Sequence, residues 1–322
     1  MSVLRLCLIL GGVLIAVSAA SLLVGDVPIL RLMDSDPGLA RMLIVELRLP
    51  RLVLAATAGA ALGLSGAALQ GLLRNPLASP DILGTSAGAA LGAVMTAYFL
   101  GLSGTLAMAG GGIAGALLAL VLLLALAGRG ASSATLILAG VAISALGGAM
   151  MNLALALAPS PFAFYDIMFW LLGSFADRNL DHVRVGLPAM VIGSALLLTA
   201  ARGLDALALG EDVAATLGHD VRTMRWRIVG GSAIAVGGAV AVAGIIGFVG
   251  LIVPHLVRPL VRNRPGPALL PSAVAGAALL VAADIIMRFP LNGKTLPIGV
   301  VTAILGAPFF LWLILSRRGT QA

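Results

Sequence analysis

Long uncharged runs alternate along this chain with short segments that carry the charge. Stretches free of Asp, Glu, Lys and Arg cover Leu6–Gly25, Leu52–Leu73, Ile82–Gly128, Ala131–Tyr165, Val185–Ala201, Ile228–Val257, Pro265–Ala283 and Thr295–Ser316. A helix needs about 20 apolar residues to cross a bilayer at 1.5 Å rise per residue. Ile82–Gly128 is long enough to cross twice, turning near Gly101-Leu102-Ser103-Gly104. Ala131–Tyr165 ends its crossing near Pro159, and Ile228–Val257 holds one span and part of another, interrupted at Pro254. Arg5 precedes the first run and Arg317 and Arg318 follow the last. Basic residues favour the cytoplasmic side, so both termini are expected there and the number of crossings is even. The pattern predicts an all-α polytopic membrane protein of ten transmembrane helices, forming a single domain over residues 1–322.

Met1–Ser21 has the outline of a signal peptide, with Arg5, an apolar run and Ser18-Ala19-Ala20. The run is nevertheless long enough to span, and reads as the first transmembrane helix. Glycines repeat at four-residue spacing in Gly84/Gly88/Gly92, Gly59/Gly63 and Gly111/Gly115. Such faces let helix backbones approach closely, which predicts dense packing and no particular function.

Composition supports this reading. The chain is 60% hydrophobic and 10% charged, with a mean hydropathy of +1.11; a soluble domain carries about 25% charged residues. The net charge of +7 and the pI of about 11.1 invite a nucleic-acid reading. However, the arginines lie in ones and twos between apolar runs, with no basic stripe or interleaved aromatics, so no nucleic-acid partner is expected. Cys7 is the only cysteine and sits in an apolar segment, where an inert thiol is expected.

The runs contain no ionisable group of the kind that proton- or ion-coupled carriers keep near mid-membrane. Asp284 and Arg288 stand four residues apart at the outer end of one helix and can pair. The energy for any pumping must then come from another subunit. Gly293-Lys294-Thr295 resembles the end of a phosphate-binding loop, but the glycine required five positions earlier is Arg288. His182, His219 and His255 are far apart and no metal-ligand spacing is present. No cofactor, metal site or catalytic centre is expected.

Arg202–Arg227 is too polar to span and too patterned for a plain loop. Glu211 and Asp212 suit a helix N-terminus, Gly218 suits the position past a helix end, and Val213 and Leu217 share a face. Two short helices joined at Gly210 are predicted. Either an interfacial helix lying on lipid or a docking element for a cytoplasmic partner fits this pattern.

Several stretches then form an ordered set. Arg48-Leu49-Pro50-Arg51 opens the second span, and Gly66-Ala67-Ala68-Leu69-Gln70-Gly71 leads into Asn75-Pro76-Leu77-Ala78-Ser79-Pro80-Asp81-Ile82-Leu83-Gly84. Leu138-Ala139-Gly140-Val141-Ala142 and Phe169-Trp170-Leu171-Leu172-Gly173-Ser174 follow, and then Gly247-Phe248-Val249-Gly250-Leu251-Ile252-Val253-Pro254-His255 and Leu296-Pro297-Ile298-Gly299-Val300. Together they resemble the FecCD permeases, transmembrane subunits of type II ABC importers for iron-siderophore, haem and vitamin B12.

The resemblance implies a homodimer of ten-helix subunits in the bacterial inner membrane, completed by two cytoplasmic ATPase subunits and a periplasmic substrate-binding protein. It implies that coupling helices at about 203–221, with Leu209, Gly210, Glu211, Asp212, Val213, Leu217 and Gly218, insert into the ATPase. It places Arg48, Arg51 and Arg288 where the binding protein presents acidic side chains, for which a guanidinium is a bidentate partner. Thr85, Ser86, Ser144 and Asn152 become candidates for the translocation pathway. The expected cargo is an iron chelate, siderophore or haem, with vitamin B12 as the alternative. Ala158–Tyr165 has no role in this reading.

Overall fold

The computed structural model describes residues 2–25, 27–102, 104–128, 132–289 and 295–318, and all regular structure among them is helical. The helices are α1 (Val3–Leu23), α2 (Ile29–Ser35), α3 (Pro37–Leu43), α4 (Leu49–Leu72), α5 (Thr85–Val94), α6 (Thr105–Ala127), α7 (Ser133–Ala156), α8 (Pro161–Leu171), α9 (Leu180–Thr199), α10 (Ala201–Leu207), α11 (Glu211–Thr216), α12 (Val221–Ala243), α13 (Val249–Val257), α14 (Pro265–Met287) and α15 (Ile298–Arg318). Seven stretches of the described residues are long and apolar enough to cross a membrane: α1, the continuous Pro37–Leu72, α6, α7, α9, α12 and α14. Val249–Val261 and Ile298–Phe309 are shorter apolar helices, and α5 continues through a π turn, Met95–Phe99.

α4 is the central helix. Apart from Arg51 and Gln70 its 24 residues are mostly small or apolar, and most from Leu52 to Leu72 are buried. α14 packs along its whole length because the side chains that would separate them are missing. A Cβ on Gly59 would overlap the carbonyl oxygen of Gly276, and one on Gly63 that of Ser272. Further along the same face a Cβ on Gly66 would overlap the Gly250 carbonyl of α13. The Gly88/Gly92 and Gly111/Gly115 faces meet each other, joining α5 to α6. Where lipid is as apolar as the side chains, such close backbone approach is what holds helices together.

Three boundaries differ from the sequence reading, each for a local reason. Arg48–Arg51 does not open a span: Pro37–Leu72 is one helix, widened by a π turn over Ile44–Arg48. Pro50 falls in the first turn after that widening, where the missing donor is tolerated. The interruption in Ile228–Val257 is at Gly244–Phe248 and not at Pro254, which lies inside α13. Gly244 and Phe248 carry φ of 77° and 67°, left-handed values that end one helix and start the next. Finally, Ala158–Tyr165 is the turn into α8: Ser160 caps it, its Oγ accepting from the Ala163 N–H at 3.1 Å, with Pro161 in the first position. The π turn after α5 ends at Phe99 and α6 starts at Thr105, on either side of the expected turn at Gly101–Gly104, of which Ser103 lies outside the described residues, as do Gly293 and Lys294.

Candidate functional site

Two ends of the bundle and one internal segment gather the residues singled out above. At the end where α1, α4 and α14 meet, Arg48, Arg51 and Arg288 share a cleft of about 300 Å³ with Asp177, Arg178 and Asp284. The π turn and the proline-bearing turn after it set Arg48 and Arg51 on the cleft side of α4. Asp284 is 2% exposed, and both of its oxygens accept from the Arg51 Nε at 2.9 Å. Asp284 also accepts from Arg288, Nη2 at 2.7 Å and Nε at 3.2 Å, so the predicted i, i+4 pair forms and is extended to a triad.

The three guanidiniums have different work. Arg288 is 8% exposed, and its terminal nitrogens donate to the Ser21 carbonyl and Oγ and to the Val24 carbonyl at 3.0 Å, tying down the C-terminal end of α1. Arg48 donates to the carbonyls of Leu22 at 2.8 Å and Val27 at 2.7 Å. Arg51 is held through Nε alone, and its side chain is 23% exposed. Its terminal nitrogens make no hydrogen bond among the described residues and face the cleft. Burial lowers the Arg178 guanidinium pKa, and the neighbouring Asp177 partly offsets this.

At the opposite end α10 and α11 form the two short helices predicted around Gly210, whose φ of 130° lets the chain turn between them. Glu211 and Asp212 occupy the first turn of α11, and Gly218 stands beyond its end with φ of 80°. Leu209, Val213 and Leu217 are 69%, 42% and 59% exposed, an apolar knob flanked by charge. The knob is anchored to the spans behind it. Arg74, past the end of α4, donates to the Leu207 carbonyl. Asp205 binds Arg264 at 2.6 Å and accepts from the Gly266 N–H at 2.9 Å, capping α14. Glu211 meets Arg225 of α12 at 3.4 Å. A force on α11 therefore reaches α4, α12 and α14 through specific contacts.

The third place is the irregular segment before α5. Pro80–Leu83 packs into the bundle: a Cβ on Gly140 of α7 would overlap the Ile82 carbonyl, and one on Gly250 of α13 would press on Pro80. Asp81 is therefore carried inside, accepting from Ser86 Oγ at 3.0 Å, while Ser144 Oγ donates to its backbone carbonyl at 3.0 Å. The sequence reading missed this carboxylate, because Asp81 stands just outside an uncharged run. The proline and asparagine before it were the signal of an irregular, inward-folded segment. Thr85 and Ser86 are buried, at 0% and 4% exposure, Ser144 is half-buried, and Asn152 is exposed on α7. Thr85 Oγ1 has no hydrogen-bond partner among the described residues. The structure thus brings Ser86 and Ser144 together on Asp81 and leaves Asn152 apart from them.

No group of three or more His, Cys, Asp or Glu side chains among the described residues could hold a metal ion.

Comparison with known proteins places the chain in a family. The model of the FecCD transport family matches residues 7–316. The chain is 40% identical over 310 residues to the vitamin B12 import system permease protein BtuC of Vibrio cholerae, covering 95% of this chain and 92% of that one. It is 42% identical over 285 residues to the cobalamin import system permease protein BtuC of Halobacterium salinarum, covering 88% of this chain and 76% of the relative. The Fe(3+) dicitrate transport system permease protein FecD of Escherichia coli is 37% identical over 281 residues, covering 85% and 86%. A solved structure described as an inward-facing conformation in a metal-chelate type ABC transporter superposes with a TM-score of 0.87 at 32% identity, over 97% of this chain and 99% of that one. With the apolar spans, the central glycine-faced α4 and a family match from Cys7 to Ser316, this chain belongs to the FecCD transport family, the membrane permeases of type II ABC importers.

Proposed function

We propose that two copies of this chain form the ten-helix-per-subunit channel of a cobalamin importer in the cytoplasmic membrane, with both termini on the cytoplasmic side. Seven long apolar helices, the two short ones at α13 and α15, and α5 with its π turn supply ten crossings. The observation that carries the cargo is the near full-length identity to vitamin B12 permeases, at 40% over 95% of the chain. An iron chelate, favoured by family usage alone, is the second reading, supported by the 37% identity to the ferric dicitrate permease.

Work is done by alternating access. ATP-driven closure of two partner ATPases pulls on α10 and α11. Arg74, Asp205 and Glu211 pass the pull to α4, α14 and α12, and the helices around the pathway rotate. The exposed face of α7, with Asn152, lines that pathway, while Thr85, Ser86 and Ser144 brace the segment beside it. Arg51, with Arg48 and Arg288 behind it, receives an acidic side chain of the periplasmic binding protein. The chain itself makes and breaks no covalent bond. A corrinoid passes without tight binding, because the exposed faces of the spans carry few charges to hold it.

The test is ATP-dependent uptake into vesicles holding the assembled transporter, with its binding protein loaded with cyanocobalamin, haem, a ferric siderophore or ferric citrate. Uptake of cyanocobalamin alone is expected. Uptake of a ferric chelate alone would replace the cargo and leave the importer standing. Uptake unaffected by removing the ATPases would reject the importer.

A further inference from the structure

A groove of about 590 Å³ at the N-terminal end of α12 belongs to neither the outer cleft nor the α10–α11 knob. Its wall is one face of α12: Arg222 and Thr223, then Trp226 and Arg227, then Gly230 and Ile234, with Leu196 of α9 opposite. These positions recur at four-residue spacing, so they stack along one side of the helix. Gly230 leaves the groove open, with no atom within 4 Å of where its Cβ would stand.

The groove is graded. Its deep part, Leu196, Gly230, Gly231 and Ile234, is apolar. Its outer part holds two exposed arginines and an indole that is 48% exposed. Neither the Arg222 nor the Arg227 side chain makes a hydrogen bond or ion pair with any described residue, and neither does the Trp226 indole nitrogen. Arg225, on another face, is the arginine of this turn that pairs internally, with Glu211. One carboxylate lies at the rim. Asp220 is already engaged by the Thr223 hydroxyl and by the Arg222 N–H at 2.9 Å, and the Thr223 bond holds its pKa below the usual value. Arg222 also acts electrostatically on Asp220, so the groove sets two guanidiniums against one carboxylate and is cationic overall.

Depth matches an amphiphile. Val221–Ala243 is apolar enough to cross the membrane, so Arg222 stands at the start of the span. Arg227 lies about 7.5 Å further along the axis, comparable to the thickness of one headgroup layer. An indole at that level is the usual interfacial anchor.

We propose that this groove binds one anionic phospholipid, with its phosphate between Arg222 and Arg227, its glycerol esters at the Trp226 N–H and one acyl chain laid over Gly230 towards Ile234. The occupant is a lipid and not a soluble anion, because the apolar half of the groove continues directly from the cationic half. Basic pockets between membrane helices recognise anionic headgroups by this division. The contact would set the level and tilt of α12, the span that follows the α10–α11 knob. The inference holds whether or not the chain carries cobalamin.

The chain has three tryptophans, Trp170, Trp226 and Trp312, which makes the site directly readable. The full-length protein with Trp170→Phe and Trp312→Phe is reconstituted in phosphatidylcholine vesicles containing a minor fraction of brominated lipid. Brominated phosphatidylglycerol is expected to quench Trp226 more strongly than brominated phosphatidylcholine. The preference should reflect enrichment on the order of fivefold per arginine, and should vanish in Arg222→Gln/Arg227→Gln. Arg202→Gln removes an exposed charge outside the groove and should leave it intact. Equal quenching by the two lipids would overturn the proposal. So would a preference that survives the double substitution, or one lost equally in Arg202→Gln, which would indicate general surface charge. Relief of quenching by millimolar inorganic phosphate would identify a site for the free ion and overturn the lipid assignment.

Discussion

In the cleft where α1, α4 and α14 meet, Asp284 is the carboxylate that two arginines share. Its carboxylate is buried and shared by two guanidiniums, of which Arg288 is also buried and Arg51 is not. The sequence made the Asp284–Arg288 pair legible through its four-residue spacing. It could not show that Arg51, 233 positions earlier, claims the same carboxylate, because that contact exists only once α4 and α14 lie side by side. The consequence is a division of labour among three arginines that look alike in sequence. Breaking a buried pair by removing one partner costs about 3–5 kcal/mol, because the remaining charge stays unpaired. Asp284→Asn should therefore lower the thermal stability of the detergent-solubilised protein, and Arg51→Glu, which sets a second carboxylate beside buried Asp284, should lower it too and abolish capture of the binding protein. Retained capture in Arg51→Glu, measured by co-sedimentation with proteoliposomes, would reject Arg51 as the docking residue. Unchanged stability in Asp284→Asn would show that the triad is not structural.

At the scale of elements, the two short helices around Gly210 were the most readable local feature. Acidic residues at a helix start, glycine at its end and a positive-φ glycine between are local signals that need no tertiary contact. What remained undecided from local pattern was whether that element lies on lipid or meets a partner. The structure bears on this through exposure and anchoring. Leu209, Val213 and Leu217 are exposed, while the same element is fastened to the ends of α4, α12 and α14 through Arg74, Glu211 and Asp205. Val213→Ser/Leu217→Ser removes apolar surface without touching these anchors. It should release the ATPase from the detergent-extracted transporter and leave the permease folded, as read by size exclusion. An ATPase that stays bound at full stoichiometry would show that this face is not its dock. The boundaries read least well were those at Arg48–Arg51 and Pro254. There, a π turn and a left-handed break replaced the proline-marked ends that local rules favour.

At the scale of the whole molecule, α4 is wrapped by α9, α12, α13 and α14, whereas α7 buries little of its surface within the chain. Leu138, Val141, Leu146, Met150, Asn152 and Leu153 all face outward from α7. An exposed apolar helix face is ordinary against lipid, but a polar Asn152 among these residues fits a wall of a shared pathway better. With Cys7→Ser as background, Asn152→Cys should be joined to a second copy by a bifunctional maleimide in native membranes, giving a band at the dimer mass. Labelling without any dimer band would place Asn152 away from the symmetry axis.

The sequence by itself determined the solvent of this protein, the helical class, the approximate spans and the family. Each of these follows from composition, from periodic absence of charge, or from short ordered motifs, all of which are properties of neighbouring residues. The glycine faces at Gly59/Gly63 and Gly88/Gly92 also announced close packing correctly, because the lack of a side chain is a local fact with only one use between helices. Only the tertiary structure decided which partner each buried polar group would take. Arg51 found Asp284, and Ser144 found the Asp81 carbonyl. In an apolar medium an unpaired polar group is costly, so every such group seeks a partner. Where that partner lies far along the chain, the pairing is set by how the helices pack and is not encoded in any local pattern.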